Sequence, residues 1–130
     1  MALLYKLHAS YASAYSVPIT TGSFVTPALS VQIPKAGKWL VFAKVVVASS
    51  GARIDAKLSL GGGGGDLDFS SVTPDPSGGL GTMSLQTAWD FQVPASVDLY
   101  LLTFLNTPAE AANIKMSAIR VDNLTSGTLP

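Results

Sequence analysis

Few residues of this chain are of a type that could carry out catalysis. His8 is the only histidine, so a Ser-His-Asp triad would have to use it. It lies in the N-terminal segment, where no nucleophile motif accompanies it. Asp90 and Asp98 flank predicted strands and Glu110 lies in an alanine-rich turn, so no pair of carboxylates for glycoside hydrolysis is indicated. The residue types therefore predict that the protein is not an enzyme.

The glycine run at residues 61–65 invites a comparison with phosphate-binding loops. Such a loop needs Gly-Lys-Ser/Thr at the start of a helix, whereas the acids Asp66 and Asp68 follow here and would repel phosphate. The same segment could be considered for calcium binding, because Asp66, Asp68 and Asp75 offer carboxylate oxygen atoms. Their spacing, however, fits no known calcium-binding loop. We expect a solvated loop over residues 61–81, with no metal site and no cofactor.

The composition excludes several kinds of partner. The 130 residues contain 8 basic and 8 acidic side chains, and charged residues make up only 12% of the chain against a usual value of about 25%. Without a cationic face, nucleic-acid binding is not expected. No apolar run approaches the length of a membrane span, and there is no cysteine for disulfides or thiolate metal sites. A surface rich in Ser, Thr and Gly would explain so few charges, and so would a surface covered by copies or partners.

Proline and glycine punctuate the whole chain, and no segment has sustained helical periodicity, although residues 108–112 resemble one helical turn. The pattern predicts short strands near residues 3–8, 23–26 and 29–33. Longer strands are predicted near residues 38–49, 53–60, 82–93, 97–105 and 114–122. Many strands separated by turns are typical of a sandwich or barrel.

One predicted strand, within residues 36–50, is apolar on both faces. Alternate side chains point to opposite sides of a strand, and here Trp39 and Val41 share one side while Leu40 and Phe42 share the other. Residues 97–105 have the same double pattern, whereas residues 52–60 and 82–93 alternate cleanly between apolar and polar. We therefore expect the doubly apolar strands to form one sheet and the alternating strands to form a second, solvated sheet. Lys44 interrupts the apolar face, and it either reaches water along its stem or pairs with an acid such as Asp98 across an interface.

Residues 30–45 (SVQIPKAGKWLVFAKV) form a short strand, a turn with glycine and an aromatic-apolar strand. This segment resembles the jelly roll of tumour necrosis factor and of complement-type globular heads, and residues 116–121 (MSAIRV) resemble the last strand of bacteriophage members of this group. The resemblance implies an all-β, two-sheet antiparallel jelly-roll sandwich that is trimeric, with one sheet lining a threefold axis. Residues 106–113 depart from the pattern, which leaves the strand count open. We expect an N-terminal arm over residues 1–22 and the jelly roll over residues 23–130.

The resemblance, the low charge and the doubly apolar strand together predict a bacteriophage structural protein. The expected role is that of a capsid decoration protein on the virion surface, with itself and the major capsid protein as partners and without nucleic acid or membrane. The alternative is a receptor- or carbohydrate-binding head of a phage fibre or tail. The candidate trimer-interface residues, taken to lie on one sheet, are Trp39, Val41, Phe42, Tyr100, Leu102 and Phe104. The candidate capsid contacts, in the arm, are Leu3, Leu4, Tyr5 and Leu7. The arm also carries Tyr5, Tyr11 and Tyr15 at odd positions, where aromatic rings serve either ligand binding or strand packing.

Overall fold

The computed structural model describes residues 9–19, 22–24, 26–49, 51–62, 64–75, 77, 79–104 and 108–121, and these form eight strands. The strands are β1 (Ala9–Ile19), β2 (Leu29–Ile33), β3 (Gly37–Ser49), β4 (Ile54–Leu60), β5 (Asp66–Val72), β6 (Leu80–Phe91), β7 (Ala95–Thr103) and β8 (Ala109–Arg120). Among the described residues, no helix is long and apolar enough to cross a membrane.

Two four-stranded antiparallel sheets face each other. Sheet I has the order β1-β8-β3-β6, and sheet II has the order β2-β7-β4-β5. Consecutive strands lie in different sheets, with the single exception of β4 and β5. The predicted all-β, two-sheet antiparallel sandwich is therefore confirmed.

The core lies between the sheets and is built from the alternate side chains of each strand. In β3 every second residue from Trp39 to Val47 is buried, and the same alternation is present in β6 from Gly81 to Leu85 and in β8 from Ile114 to Ala118. The Trp39 indole N–H donates to the backbone oxygen of Lys35 at 3.0 Å, so its one polar atom is satisfied within the core. Burial of these large apolar side chains is the main contribution to the stability of the fold.

Several predicted strands coincide with observed ones, and the differences have local causes. Residues 29–33 match β2, and the long predicted strands match β3, β4, β6, β7 and β8 within a few residues. The helical turn expected at residues 108–112 is wrong, because β8 already begins at Ala109 and pairs there with β1 and β3. Residues 66–72, expected to be loop, form β5, whose pairing with β4 overrides the weak strand preference of its acids and serines.

Residues 9–19, which the sequence analysis assigned to an arm, instead form β1 at the edge of sheet I. Ten residue pairs join β1 to β8, so this part of the N-terminal segment belongs to the sandwich. The pairing has an irregularity at Ser16, whose φ of 54° is in the left-handed region. The Ser16 hydroxyl donates to Glu110 Oε1 at 2.7 Å, and this contact holds the strained backbone in place.

The expected division of strands between sheets is wrong. The doubly apolar β3 lies beside the alternating β6 in sheet I, and the doubly apolar β7 lies beside the alternating β4 in sheet II. The alternation of apolar and polar residues along a strand indicates whether each of its two faces is buried. It does not indicate which other strands lie beside it in the sheet.

Candidate assembly surface

The side of sheet I that points away from the core carries three exposed aromatic side chains, Tyr11, Tyr15 and Phe42, among polar residues. We call it the outer face. Its middle consists of three rows of residues that are opposite one another in the pairing register. The rows are Tyr11–Ser117–Phe42–Gln86, Ser13–Lys115–Lys44–Ser84 and Tyr15–Asn113–Val46–Thr82.

Aromatic side chains stand out on this face. Tyr11 is 66% exposed, Tyr15 is 72% exposed and Phe42 is 40% exposed. Tyr11 and Phe42 flank Ser117 and line a groove of about 450 Å³. Exposed aromatic groups around a groove are typical of surfaces that bind another protein or a ligand.

The centre of the outer face is positively charged. Lys44 on β3 and Lys115 on β8 are opposite each other in the register, and both are exposed. Among the described residues, neither lysine forms an ion pair with a carboxylate. The three central rows contain no acid, and the nearest acids along the strands, Asp90 and Glu110, lie towards the ends of the sheet.

Part of the corresponding side of sheet II is covered by the chain's own side chains, although Phe69, which is opposite Lys57 in the register, is 58% exposed. Lys57 lies 3.1 Å from Asp66 and also stacks over the rings of Phe24 and Tyr100, at 4.8 and 5.4 Å from their centroids. Ser59, though it points away from the core, is only 2% exposed. The groups around Lys57 therefore contact one another, and Phe69 is the exposed aromatic residue of this side.

Buried acids of sheet II also have partners within the chain. Asp98 accepts a hydrogen bond from the Ser30 hydroxyl at 2.6 Å, and Asp55 lies 3.1 Å from the Arg53 guanidinium. Asp98, one candidate partner for Lys44, belongs to the opposite sheet and is 6% exposed. It is not available to Lys44 within one chain.

The acids considered as calcium ligands each accept hydrogen bonds from nearby groups. Hydrogen bonds from Ser59, followed by the contact with Lys57, lower the pKa of Asp66 below its ordinary value. The backbone N–H and hydroxyl of Ser77 likewise lower the pKa of Asp75. No group of three or more potential metal ligands is found in the part of the chain that the structure describes.

Asp68 joins the edges of the two sheets. Its carboxylate accepts the backbone N–H of Gln86 on β6 at 2.8 Å and that of Phe69 on β5 at 2.9 Å. An edge strand with free N–H groups can pair with other chains, and a carboxylate bound to one of those groups hinders this. The β6 edge is thus partly closed to pairing with another strand at Gln86.

The candidate interface residues do not lie together. Trp39 and Val41 are 0% exposed and belong to the core of one chain, so they cannot form the surface of a subunit contact. Phe42 is on the outer face of sheet I, whereas Tyr100 and Leu102 are on β7 in sheet II, and Phe104 follows β7. The expectation that these residues share a sheet is wrong, because β3 and β7 face each other across the core.

The four candidate capsid contacts, Leu3, Leu4, Tyr5 and Leu7, lie outside the described residues, as does His8. No sequence motif marks Lys115, and Tyr11 and Tyr15, which the sequence pattern assigns to an arm, lie on β1. The available signal was the alternation of residues 9–15, in which small residues occupy one parity and the two tyrosines the other.

The fold is similar to that of a protein chain in the structure of infectious bursal disease virus, Gx strain. The TM-score is 0.60 over 92% of this chain, with 16% sequence identity. This chain spans 33% of the length of that viral chain. The sequence matches no protein-family model and no curated protein. The likeness is one of fold: this β-sandwich also occurs as part of a virus protein.

Proposed function

We propose that this chain is a structural protein of a virion, and specifically a bacteriophage capsid decoration protein that forms homotrimers and stabilises the capsid lattice. The observation that carries the proposal is the outer face of sheet I, where Tyr11, Tyr15 and Phe42 are exposed on regular strands. A sheet face of this kind is stabilised when another subunit covers it. The likeness of fold to a virus protein supports the same class of function.

The strand order supports a jelly roll within this class. The pairs β1–β8, β2–β7, β3–β6 and β4–β5 are those that form when one long antiparallel ribbon is folded back between two sheets. In the tumour-necrosis-factor arrangement one sheet lines the threefold axis. We assign that position to sheet I, because three aromatic residues are exposed together on its outer face, whereas on sheet II Lys57 packs against Asp66, Phe24 and Tyr100 and Phe69 is the exposed ring.

The oligomeric state is tested first, by native mass spectrometry and sedimentation velocity of the purified chain at micromolar concentration. A homotrimer is expected. A stable monomer under all solution conditions contradicts the proposed assembly.

The capsid role is tested on particles of the virus that encodes the chain. A protein that binds only the assembled lattice stabilises it by mass action, so particles stripped of this protein should rupture at lower temperature. Adding the purified protein back should restore the rupture temperature. Deleting residues 2–8, which removes Leu3, Leu4, Tyr5 and Leu7, should abolish particle binding while the trimer stays folded. Stripped particles that are as robust as complete ones contradict the decoration role.

The alternative is a receptor- or carbohydrate-binding head, and the exposure of Tyr11 and Tyr15 favours it, because tyrosine rings stack on sugars. Binding of the purified chain to a glycan array distinguishes the two functions. Glycan binding that disappears in Tyr15→Ala, with the trimer intact, supports the head. Absence of glycan binding together with lattice binding supports the decoration protein.

A further inference from the structure

The two lysines at the centre of the outer face repel each other. Side chains directly opposite in an antiparallel pair have their Cβ atoms roughly 5 Å apart, and like charges at such positions are destabilising. The ammonium groups lie at the ends of flexible stems, so in water they can move apart and their repulsion is small until water is excluded. Lys44 and Lys115 are in this position, and no acid of the three central rows offsets their charge.

Covering the outer face makes this repulsion stronger. A subunit that packs against Tyr11 and Phe42 removes water from the neighbouring lysines and lowers the local dielectric constant, and it brings further copies of the same pair nearby. An ammonium group that loses its water without gaining a partner is strongly unfavourable. The assembly therefore needs an anion at this point.

A concavity at the pair is suited to such an anion. It is lined by Lys44, Val46, Asn113 and Lys115, and its volume is about 110 Å³. A water molecule in the liquid takes up about 30 Å³, so the concavity has room for a tetrahedral oxyanion. The two ammonium groups and the Asn113 amide can all donate hydrogen bonds, and charge-assisted hydrogen bonds to phosphate are among the stronger ones in proteins.

We infer that the Lys44–Lys115 concavity binds a tetrahedral oxyanion of the phosphate or sulfate class, and that its occupancy controls self-association through the outer face. The second part of this inference rests on the proposed function, whereas anion binding itself does not. The anion replaces lysine–lysine repulsion with two attractive contacts, so the covered state is more favourable when the site is filled.

The test measures self-association in sodium phosphate and in sodium chloride at the same pH and ionic strength, so that screening is equal in both. The proteins are the wild type, the double variant Lys44→Met/Lys115→Met, and Lys35→Met as a control that removes one exposed positive charge in the turn between β2 and β3. Wild type and Lys35→Met should both associate severalfold more tightly in phosphate than in chloride. The double variant should associate in chloride about as tightly as the wild type does in phosphate, and should not respond to phosphate.

Two results overturn the inference, and they are distinct from failure of the proposed function. In the first, the wild type associates equally in both salts and the double variant associates more weakly. That result means that the lysines pair with carboxylates of a neighbouring copy.

The second result concerns the site itself, which is tested by titrating wild-type protein with inorganic phosphate and following the amide resonances of Lys44, Asn113 and Lys115 by NMR. Saturable shifts that disappear in the double variant support the anion site even if every sample is monomeric. Shifts no larger than those with chloride refute it.

Discussion

Val41 and Phe42 are neighbours in sequence on opposite faces of β3, and substituting each in turn separates the core from the assembly surface. Val41 is 0% exposed, so Val41→Ala removes two fully buried methyl groups at about 0.8 kcal/mol each and leaves a small cavity. We expect a loss of about 2 kcal/mol in the free energy of unfolding, which for a domain of this size lowers Tm by roughly 6–10 °C. The association constant of the folded protein should not change.

Phe42→Thr should have the reverse effect. Phe42 is 40% exposed, which leaves about 80 Å² of a phenylalanine side chain for a partner to cover, worth about 2 kcal/mol per copy. Threonine, like phenylalanine, favours the strand conformation, so the change in folding stability should be smaller than for Val41→Ala. Association should weaken roughly thirtyfold for each copy whose Phe42 is covered.

Thermal unfolding of dilute protein measures the folding effect of the two substitutions, and sedimentation velocity over a concentration series measures the association effect. The reasoning is refuted if Phe42→Thr leaves the association constant unchanged, because Phe42 is then outside any subunit contact. It is equally refuted if Val41→Ala weakens association while leaving Tm unchanged.

Three further predictions concern the folded chain itself. At Gly81 an added Cβ would lie 2.9 and 3.0 Å from the two γ-methyl groups of Val72. Gly81→Ala should therefore lower the free energy of unfolding by about 1–3 kcal/mol. Adding Val72→Ala should recover part of that loss in a double-mutant cycle measured by urea unfolding. At Gly61 a Cβ would lie 3.0 Å from a backbone oxygen of β7, whereas at Gly65 it would meet nothing within 4 Å, so Gly61→Ala should lower Tm and Gly65→Ala should not. The pKa of Asp66 is lowered by the Ser59 hydroxyl and by Lys57. The contribution of its carboxylate to the free energy of unfolding is therefore complete above the ordinary pKa of roughly 4, and it is lost as the pH falls through the lower pKa of the folded state. Asp66→Asn should therefore flatten the acid limb of the stability–pH profile, and an unchanged slope would contradict this assignment.

The sequence was sufficient to predict most of the strands, because their alternation is strong. β3 is recognisable from its Val, Phe and Trp residues between glycines, and β4 from its strict alternation. β5 was missed because glycine, serine and aspartate dominate its surroundings, and only its pairing with β4 and the bond from the Gln86 N–H to Asp68 make it a strand. Its formation depends on residues distant in sequence, which a local pattern does not reveal.

The assembly surface was predictable only in part. The doubly apolar pattern of β3 predicts that a partner covers one of its faces, and among the described residues Phe42 is exposed on the outer face. Which strands stand beside β3 is a property of topology, and the pattern along β7 is equally compatible with either sheet. For this reason Tyr100 and Leu102 were grouped with Phe42, whereas Lys115, which is beside Lys44 in the register, was not considered.

The order in which the strands are synthesised differs from the order in which they pair. β8, the last of the described strands along the chain, is inserted between β1 and β3, so β1 remains without its only neighbour in sheet I until β8 has been translated. Sheets that depend on such distant partners fold slowly, and their unfinished edges are prone to aggregation. While the chain is still on the ribosome, the apolar β3 is also without one of its two neighbours. Low temperature during expression, or a chaperone that shields β3, should therefore raise the yield of folded protein more than added stability in the finished sandwich would.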